Sequence, residues 1–383
     1  MFESSTIELS KKALKNNLNF IRKKIPPSGR FCSVVKGNAY GHGTSKYVQM
    51  AMNAGVDYFA VHAAEEAYQL ISEISKRPDL FIMGAAEDTA IEWAIQENIE
   101  LAVFDFQRLE LISKYTQKLN KKARIHIEME TGMQRTGFSI RQIPALIEWL
   151  QKHKDFVIFH GLFTHFAGAE SQANHFRINT QIKQFKHCLS TFEENGFIPA
   201  YSHSACSAAI FNYPDAPGNM VRAGIVQYGF WPNKETQIRF YGDTENTPDD
   251  LRRIIRWSTR VMAIQQVSKG QYIGYGTSYL AQKNTKIAIL PIGYAHGYSR
   301  KLSNVGTVLI HGKAAPIIGT INMNSMTADV TGIDGVEIGT DVVLIGKQNG
   351  KSITVNSFSE QSHLLNYEML TRLSPNIPRI ITQ

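Results

Sequence analysis

The 383 residues are 43% hydrophobic and 19% charged, proportions that exclude collagen-like, disulfide-scaffold and mostly disordered chains. Lys and Arg number 41 against 33 Asp and Glu, a net charge of +8. The densest basic groups, Lys118, Lys121, Lys122 and Arg124, then Arg252, Arg253 and Arg256, form no stripe and no docking motif. They read as solvated surface with no nucleic-acid partner, although a modest positive field still favours anionic ligands.

No run approaches 18 consecutive apolar residues, so no membrane span is expected. Met1–Leu9 lacks the basic-then-apolar pattern of a secretory leader. The three cysteines, Cys32, Cys188 and Cys206, are odd in number, widely spaced and without metal-ligand spacing. Together these features predict a reducing, cytoplasmic setting and no bound metal.

From residue 31 short apolar runs alternate with longer helical patterns. The predicted strands are Phe31–Val35, Tyr58–His62, Leu80–Met83, Leu101–Phe104, Arg124–Glu130, Val157–Phe166, Tyr201–Ala205 and Val221–Tyr228. Helical periodicity covers Ala64–Ile74, Phe106–Leu119, Ile140–His153 and Asn174–Asn195. Eight such alternations predict an α/β (β/α)8 TIM-like barrel, with an open doubly wound sheet as the alternative. Pro232 to Asp250 is rich in Asn, Thr, Asp, Gly and Pro and reads as a linker or surface loop. Beyond it strand-like runs dominate: Arg260–Val267, Lys286–Pro291, Thr307–Ile310, Ala315–Gly319, Asp341–Ile345 and Ser352–Val355, with one late helix near Ser357–Ser374. A C-terminal, mostly-β domain is predicted, giving domains at 10–235 and 236–383.

The first barrel strand runs into Val34-Val35-Lys36-Gly37-Asn38-Ala39-Tyr40-Gly41-His42-Gly43. A lysine directly after a buried strand has two readings. It extends along the surface off a strand end, or it is a desolvated amine able to form a Schiff base at the catalytic end of a barrel.

The ten residues around Lys36 resemble the pyridoxal-phosphate lysine motif of alanine racemases. Further segments match that family in order: Glu130-Thr131-Gly132-Met133-Gln134-Arg135, Gly161-Leu162-Phe163-Thr164-His165-Phe166-Ala167, and Val221-Arg222-Ala223-Gly224-Ile225-Val226-Gln227-Tyr228-Gly229. Ile273-Gly274-Tyr275-Gly276, Pro291-Ile292-Gly293-Tyr294-Ala295-His296-Gly297-Tyr298 and Gly319-Thr320-Ile321-Asn322-Met323-Asn324 continue the series. One motif would be weak; six in register from residue 36 to 324, counting 273–276 with 291–298 as one, are not.

The resemblance implies pyridoxal 5'-phosphate as cofactor and a homodimer with shared sites. It also implies that the β domain, with the N-terminal strand 1–9, completes the partner's site. Lys36 would be the cofactor's covalent anchor and one acid/base, and Tyr275 of the partner subunit the other, on the opposite face. Arg222 would meet the pyridine nitrogen, where an arginine can only donate and so leaves the ring unprotonated. His165 would lie near Arg222 and orient it, or else be a buried, satisfied histidine. Tyr40, Ser207 and the backbone N–H groups of Gly224 and Ile225 would hold the phosphate; Ser207 also reads as the start of a helix. Arg135, the backbone of Met323, and Tyr294 would meet the amino-acid substrate.

Several positions depart from the family pattern. Glu128 stands where many members carry a carboxylated lysine, so a direct Glu128–Arg135 pair is expected. Cys206 stands for an asparagine, His296 and Asn324 for aspartates, and Pro375 near a position where some members carry a tyrosine reaching toward the phosphate. These leave substrate breadth open, since one methylene is worth only ~1–3 kcal/mol of discrimination. The implied activity is interconversion of L- and D-alanine, feeding peptidoglycan. A racemase for serine or longer amino acids is a close variant. The rival classes are a barrel-type decarboxylase, opposed by Arg222, and a barrel-only cofactor-homeostasis protein, opposed by the roughly 130 residues after the linker.

Overall fold

The computed structural model describes residues 3–242, 248–355 and 366–383. The chain divides into two compact units, one of Met1–Lys12, Asn38–Tyr47 and Arg253–Gln383, the other of Ala13–Gly37 and Val48–Arg252. The first strand, β1 (Ser5–Ser10), lies in the former.

The second of these units holds the next eight strands: β2 (Arg30–Val34), β3 (Tyr58–Val61), β4 (Asp79–Ile82), β5 (Glu100–Val103), β6 (Ala123–Glu128), β7 (Val157–Phe163), β8 (Tyr201–His203) and β9 (Met220–Ala223). They form one parallel sheet in the order β8-β7-β6-β5-β4-β3-β2-β9. A parallel bridge between Cys206 and Arg222 joins its two ends and closes the barrel. Strands such as Tyr58-Phe59-Ala60-Val61 are buried at every residue, as a parallel sheet covered by helices requires. The helices are set locally. Phe106–Leu119, for example, is capped by Asp105, which accepts from the Arg108 N–H at 2.7 Å, and ends on Asn120 in the left-handed region.

Two predicted strands are too long, and the reason is where their backbone groups go. Val157–Phe166 stops at Phe163 because the next carbonyls leave the ladder: Thr164 accepts from Arg222 and His165 from Gln181. Val221–Tyr228 is strand only to Ala223; Ile225–Tyr228 is a 3-10 helix. Its buried polar ends return to β2, where Gln227 Nε2 and Tyr228 Oη donate to the Val34 carbonyl at 2.9 and 3.0 Å.

The remaining strands are β10 (Ile255–Arg260), β11 (Ala263–Val267), β12 (Thr285–Leu290), β13 (Thr307–Ile310), β14 (Lys313–Pro316), β15 (Met326–Asp329), β16 (Asp341–Gln348), β17 (Lys351–Ile353) and β18 (Arg379–Thr382). One sheet runs β14-β13-β16-β10-β1-β18 with β17 on β16; a smaller one runs β11-β12-β15. β1 pairs antiparallel with β10 and parallel with β18. The predicted Arg260–Val267 strand is therefore a junction. Val261 donates to Thr340 and Met262 to Ile289, so the chain changes sheets there. Of the predicted late helix, the described part is Asn366–Thr371; residues 356–365 lie outside the described residues.

Candidate active site

The sequence places Lys36 directly after β2. The five residues Lys36–Tyr40 form a short helical turn, and Gly37, Asn38, Ala39 and Tyr40 have φ of 62°, 55°, 50° and 52°. That is a left-handed turn, disfavoured for residues with a Cβ and held only where the surroundings over-determine it. His42 supplies part of that constraint: its Nδ1 lies 3.0 Å from the carbonyls of both Ala39 and Tyr40. Arg379 supplies another part, donating to the Gly41 carbonyl at 2.8 Å. The Gly37-Asn38 pair was the available sequence signal, since these two residue types tolerate positive φ best.

Within the barrel unit, the C-terminal strand ends bring Lys36, Glu128, Thr164, His165, Ser207 and Arg222 toward one end, where barrel active sites form. Lys36 as a residue is open to solvent. Its amine is nonetheless held below the ordinary lysine range, first by partial desolvation and then by the charge of Arg135, with Glu66 opposing and Arg222 adding. Among the described residues neither Lys36, Arg135 nor Arg222 forms an ion pair with a carboxylate. Three cations without a carboxylate in ion-pair contact lie near one barrel end, a field that favours an anionic ligand.

Arg222 is buried, and its guanidinium donates to the carbonyls of His203 and Thr164, each at 2.8 Å, and to the ring Nδ1 of His203. Burial lowers its pKa, but an arginine stays charged. The histidine bonded to it is therefore His203, not His165. His165 instead feels the Arg222 charge after burial, and the two hold its pKa down to about 3. Ser207 does not open a substantial helix: only Ala209–Asn212 is helical. Its hydroxyl accepts from the Gly224 N–H at 2.8 Å, which leaves its own proton to donate.

Glu128 has a different partner from the one its position suggested. It accepts from the Thr136 hydroxyl at 2.8 Å, and Arg135 acts on it only through charge. The loop explains this. Glu130 takes the backbone N–H groups of Gly132, Gln134 and Arg135, winding the turn around itself and leaving the Arg135 side chain exposed. Burial raises the pKa of Glu128.

In the other unit Tyr275 is 73% exposed between Gly274 and Gly276, whose φ values of 78° and 66° suit glycine. Tyr294 and Met323 are also exposed, and their segments are tied together by Tyr294 N–H to Asn322 O and Ala295 N–H to Met323 O. His296 Nδ1 accepts from the Gly293 N–H at 3.3 Å. The tyrosine beside Tyr40 is Tyr367, at 6.1 Å between ring centroids. Pro375 instead lies in a loop whose carbonyls are gathered by Arg379.

Glu100, His126 and His203 carried no assigned role in the sequence. The signal was a polar residue inside or beside an apolar strand, as in Glu100-Leu101-Ala102-Val103. His42, His126 and His203 are fully buried, and burial is the largest cause holding each neutral, with His42 down to about 4. Unfolded, each would titrate near 6.5, so unfolding takes up protons as pH falls below that value. Their contribution is complete above pH 6.5 and is lost on acidification. Urea unfolding is expected to weaken between pH 6.5 and 5 by up to ~1.4 kcal/mol per pH unit for each histidine. A flat stability profile across that window would contradict their neutrality.

Two family models match the chain: the alanine racemase N-terminal domain over residues 9–232 and the alanine racemase C-terminal domain over 254–381. An alanine racemase of Leptospira interrogans is 33% identical over 378 residues, covering 99% of this chain and 96% of that protein. One from Methanococcus maripaludis is 32% identical, covering 97% of each. Among solved structures, an alanine racemase of Clostridium difficile 630 superposes with a TM-score of 0.91 at 28% identity, covering 100% of this chain and 96% of that one. The Bacillus anthracis alanine racemase with bound L-Ala-P gives 0.87 at 30% identity, with 100% and 96% covered.

Proposed function

The chain belongs to the alanine racemase family, and from that premise we propose that it is an isomerase interconverting L- and D-alanine with pyridoxal 5'-phosphate. The observation that carries this reading is the set of Lys36, Arg135 and Arg222, which make no ion pair with a carboxylate among the described residues. It suits a ligand with a phosphate at one end and a substrate carboxylate at the other. The donor set fits the cofactor: an amine of lowered pKa, a serine hydroxyl free to donate, and a buried guanidinium that can only donate.

Bound pyridoxal phosphate supplies an aldehyde carbon for an amine and a ring that draws electrons from the substrate's Cα–H bond. Lys36 would hold that carbon through Nζ, and as a free amine Nζ would take or return the proton on one face. Tyr275 of the partner subunit holds or moves the proton on the other face at Oη. Arg222 would donate to the ring nitrogen without protonating it, which would limit the ring's electron demand and disfavour decarboxylation. Ser207, the Ile225 N–H and Tyr40 would hold the phosphate, with the Gly224 N–H orienting the Ser207 hydroxyl toward it. Arg135, beside Glu128, would orient the substrate carboxylate, and Tyr294 and the backbone of Met323 of the partner subunit would meet the same substrate. His165 would line the cofactor as a neutral imidazole.

The functional form is a homodimer, with the residue 254–381 domain of one copy completing the other's site. The cytoplasm is its compartment, consistent with three free thiols, Cys32, Cys188 and Cys206. Among the described residues no helix is long and apolar enough to cross a membrane. The barrel occupies residues 10–235, and D-alanine for peptidoglycan is the product used.

The test is direct. The purified protein with pyridoxal phosphate is incubated with a panel of L-amino acids and the products are resolved on a chiral column. Inversion of alanine is expected, with weaker inversion of serine. CO2 release without inversion would replace this reading with a decarboxylase.

A further inference from the structure

Glu100 opens β5, is 1% exposed, and receives donors on both oxygens. Oε2 takes His126 Nε2 at 2.7 Å and the Tyr58 hydroxyl; Oε1 takes Arg124 Nη1 at 3.2 Å and has His160 Nδ1 3.0 Å away. His126 Nδ1 lies 2.9 Å from His203 Nε2, and His203 Nδ1 meets Arg222 Nη1. One continuous hydrogen-bonded path therefore joins Arg222 to Glu100.

Its ends fix its direction. A guanidinium has no acceptor and a carboxylate no donor. Arg222 must donate to His203 Nδ1, so a neutral His203 carries its proton on Nε2. His126 Nδ1 must then accept, and His126 carries its proton on Nε2, aimed at Glu100. Every bond points from arginine to glutamate, and each tautomer follows from the one before. The ring planes are also held. Phe81 stacks on His126 at 4.3 Å, and Phe163 lies parallel to His203 at 4.9 Å. Gly161 leaves the space His126 needs, since a Cβ there would sit 1.9 Å from Nδ1.

We infer that Glu100 is a positioning residue: by fixing the tautomers of His126 and His203 it holds Arg222 in one orientation as a donor. Only the final step, from Arg222 to the cofactor ring, rests on the proposed function. Glu100, His126 and His160 also lie close enough together to suggest a divalent cation site. The hydrogen bonds already made by the carboxylate and the Arg124 cation on the same oxygen favour the relay instead.

The experiment uses 15N-histidine-labelled holoprotein and long-range 1H–15N correlation spectra, with wild type, Glu100→Gln and Tyr58→Phe compared. Wild type should show His126 and His203 solely as Nε2–H tautomers. In Glu100→Gln a carboxamide, which donates as well as accepts, replaces an acceptor of three hydrogen-bond donors. Arg124 can only donate, so the amide oxygen turns toward it and the amide nitrogen faces His126 Nε2, and Nδ1–H signal should appear at His126 and His203. Racemisation kcat should fall between about 10- and 100-fold with KM little changed, as for a displaced group. Tyr58→Phe removes a donor to the same carboxylate outside the relay and should leave both tautomers as in wild type.

Unchanged Nε2–H tautomers in Glu100→Gln would overturn the inference. So would altered tautomers with unchanged kcat and cofactor absorbance, or Zn2+ titrating away both Nε2–H signals at stoichiometric concentration. The spectra do not depend on turnover. A protein that inverts no amino acid yet shows the tautomer change would overturn the proposed function and not the relay.

Discussion

Replacing Lys36 with alanine is expected to abolish racemisation, leaving less than one part in ~10⁴ of the wild-type rate. One residue is asked for two roles, covalent attachment and proton transfer on one face, and proton transfer alone is worth ~10²–10⁴. The geometry at Lys36 favours both. Desolvation and the Arg135 and Arg222 charges lower its pKa, so more of the amine is unprotonated and nucleophilic at neutral pH than for an ordinary lysine. Because the residue is open to solvent, the substitution leaves no core cavity, and circular dichroism and the urea midpoint should match wild type. Borohydride reduction of the wild-type holoprotein, followed by peptide mass mapping, should put the cofactor on the peptide containing Lys36. A label on any other peptide, or a Lys36→Ala protein that keeps a reducible bound cofactor, would sink the assignment and with it the two-face mechanism.

Tyr275→Phe comes next in size, with an expected loss of ~10²–10⁴. The two enantiomers have equal free energy in water, so kcat/KM must fall by the same factor in both directions and cannot distinguish the faces. Exchange of the Cα hydrogen with D2O can. With Lys36 intact, one enantiomer should still exchange its Cα hydrogen at close to the wild-type rate, while the other should exchange as slowly as it inverts. Equal loss of exchange for both would show that Tyr275 is not a one-face acid/base. The residue's 73% exposure between two glycines of positive φ makes a misfolded variant an improbable cause of any such loss.

The sequence carried much of the fold because its two periodicities are local. Apolar runs of four to six residues separated by helical repeats are legible wherever both faces of a strand are buried, as in Tyr58–Val61 and Glu100–Val103. The errors fell where backbone groups are claimed by distant side chains. The Thr164 and His165 carbonyls leave the β7 ladder for Arg222 and Gln181, and the polar residues after Ala223 fold back on Val34. β18 was missed because Arg379–Thr382 is a strand through its parallel partner β1, some 370 residues away in sequence.

The same division holds at the site. Lys36, Arg222, Ser207 and Tyr275 were singled out through segments that resemble a known family, and such segments are visible in one dimension. Pair contacts were not. Glu128 is met by Thr136, and Arg222 by His203, because these distances depend on how a loop wound around Glu130 and a closed barrel bring separate strands together. What the linear chain determined was the inventory of reactive groups and the alternation that builds a barrel. Only the closed tertiary structure decided which group bonds to which, since hydrogen-bond partners must lie within about 3 Å and sequence separation says nothing about distances of that size.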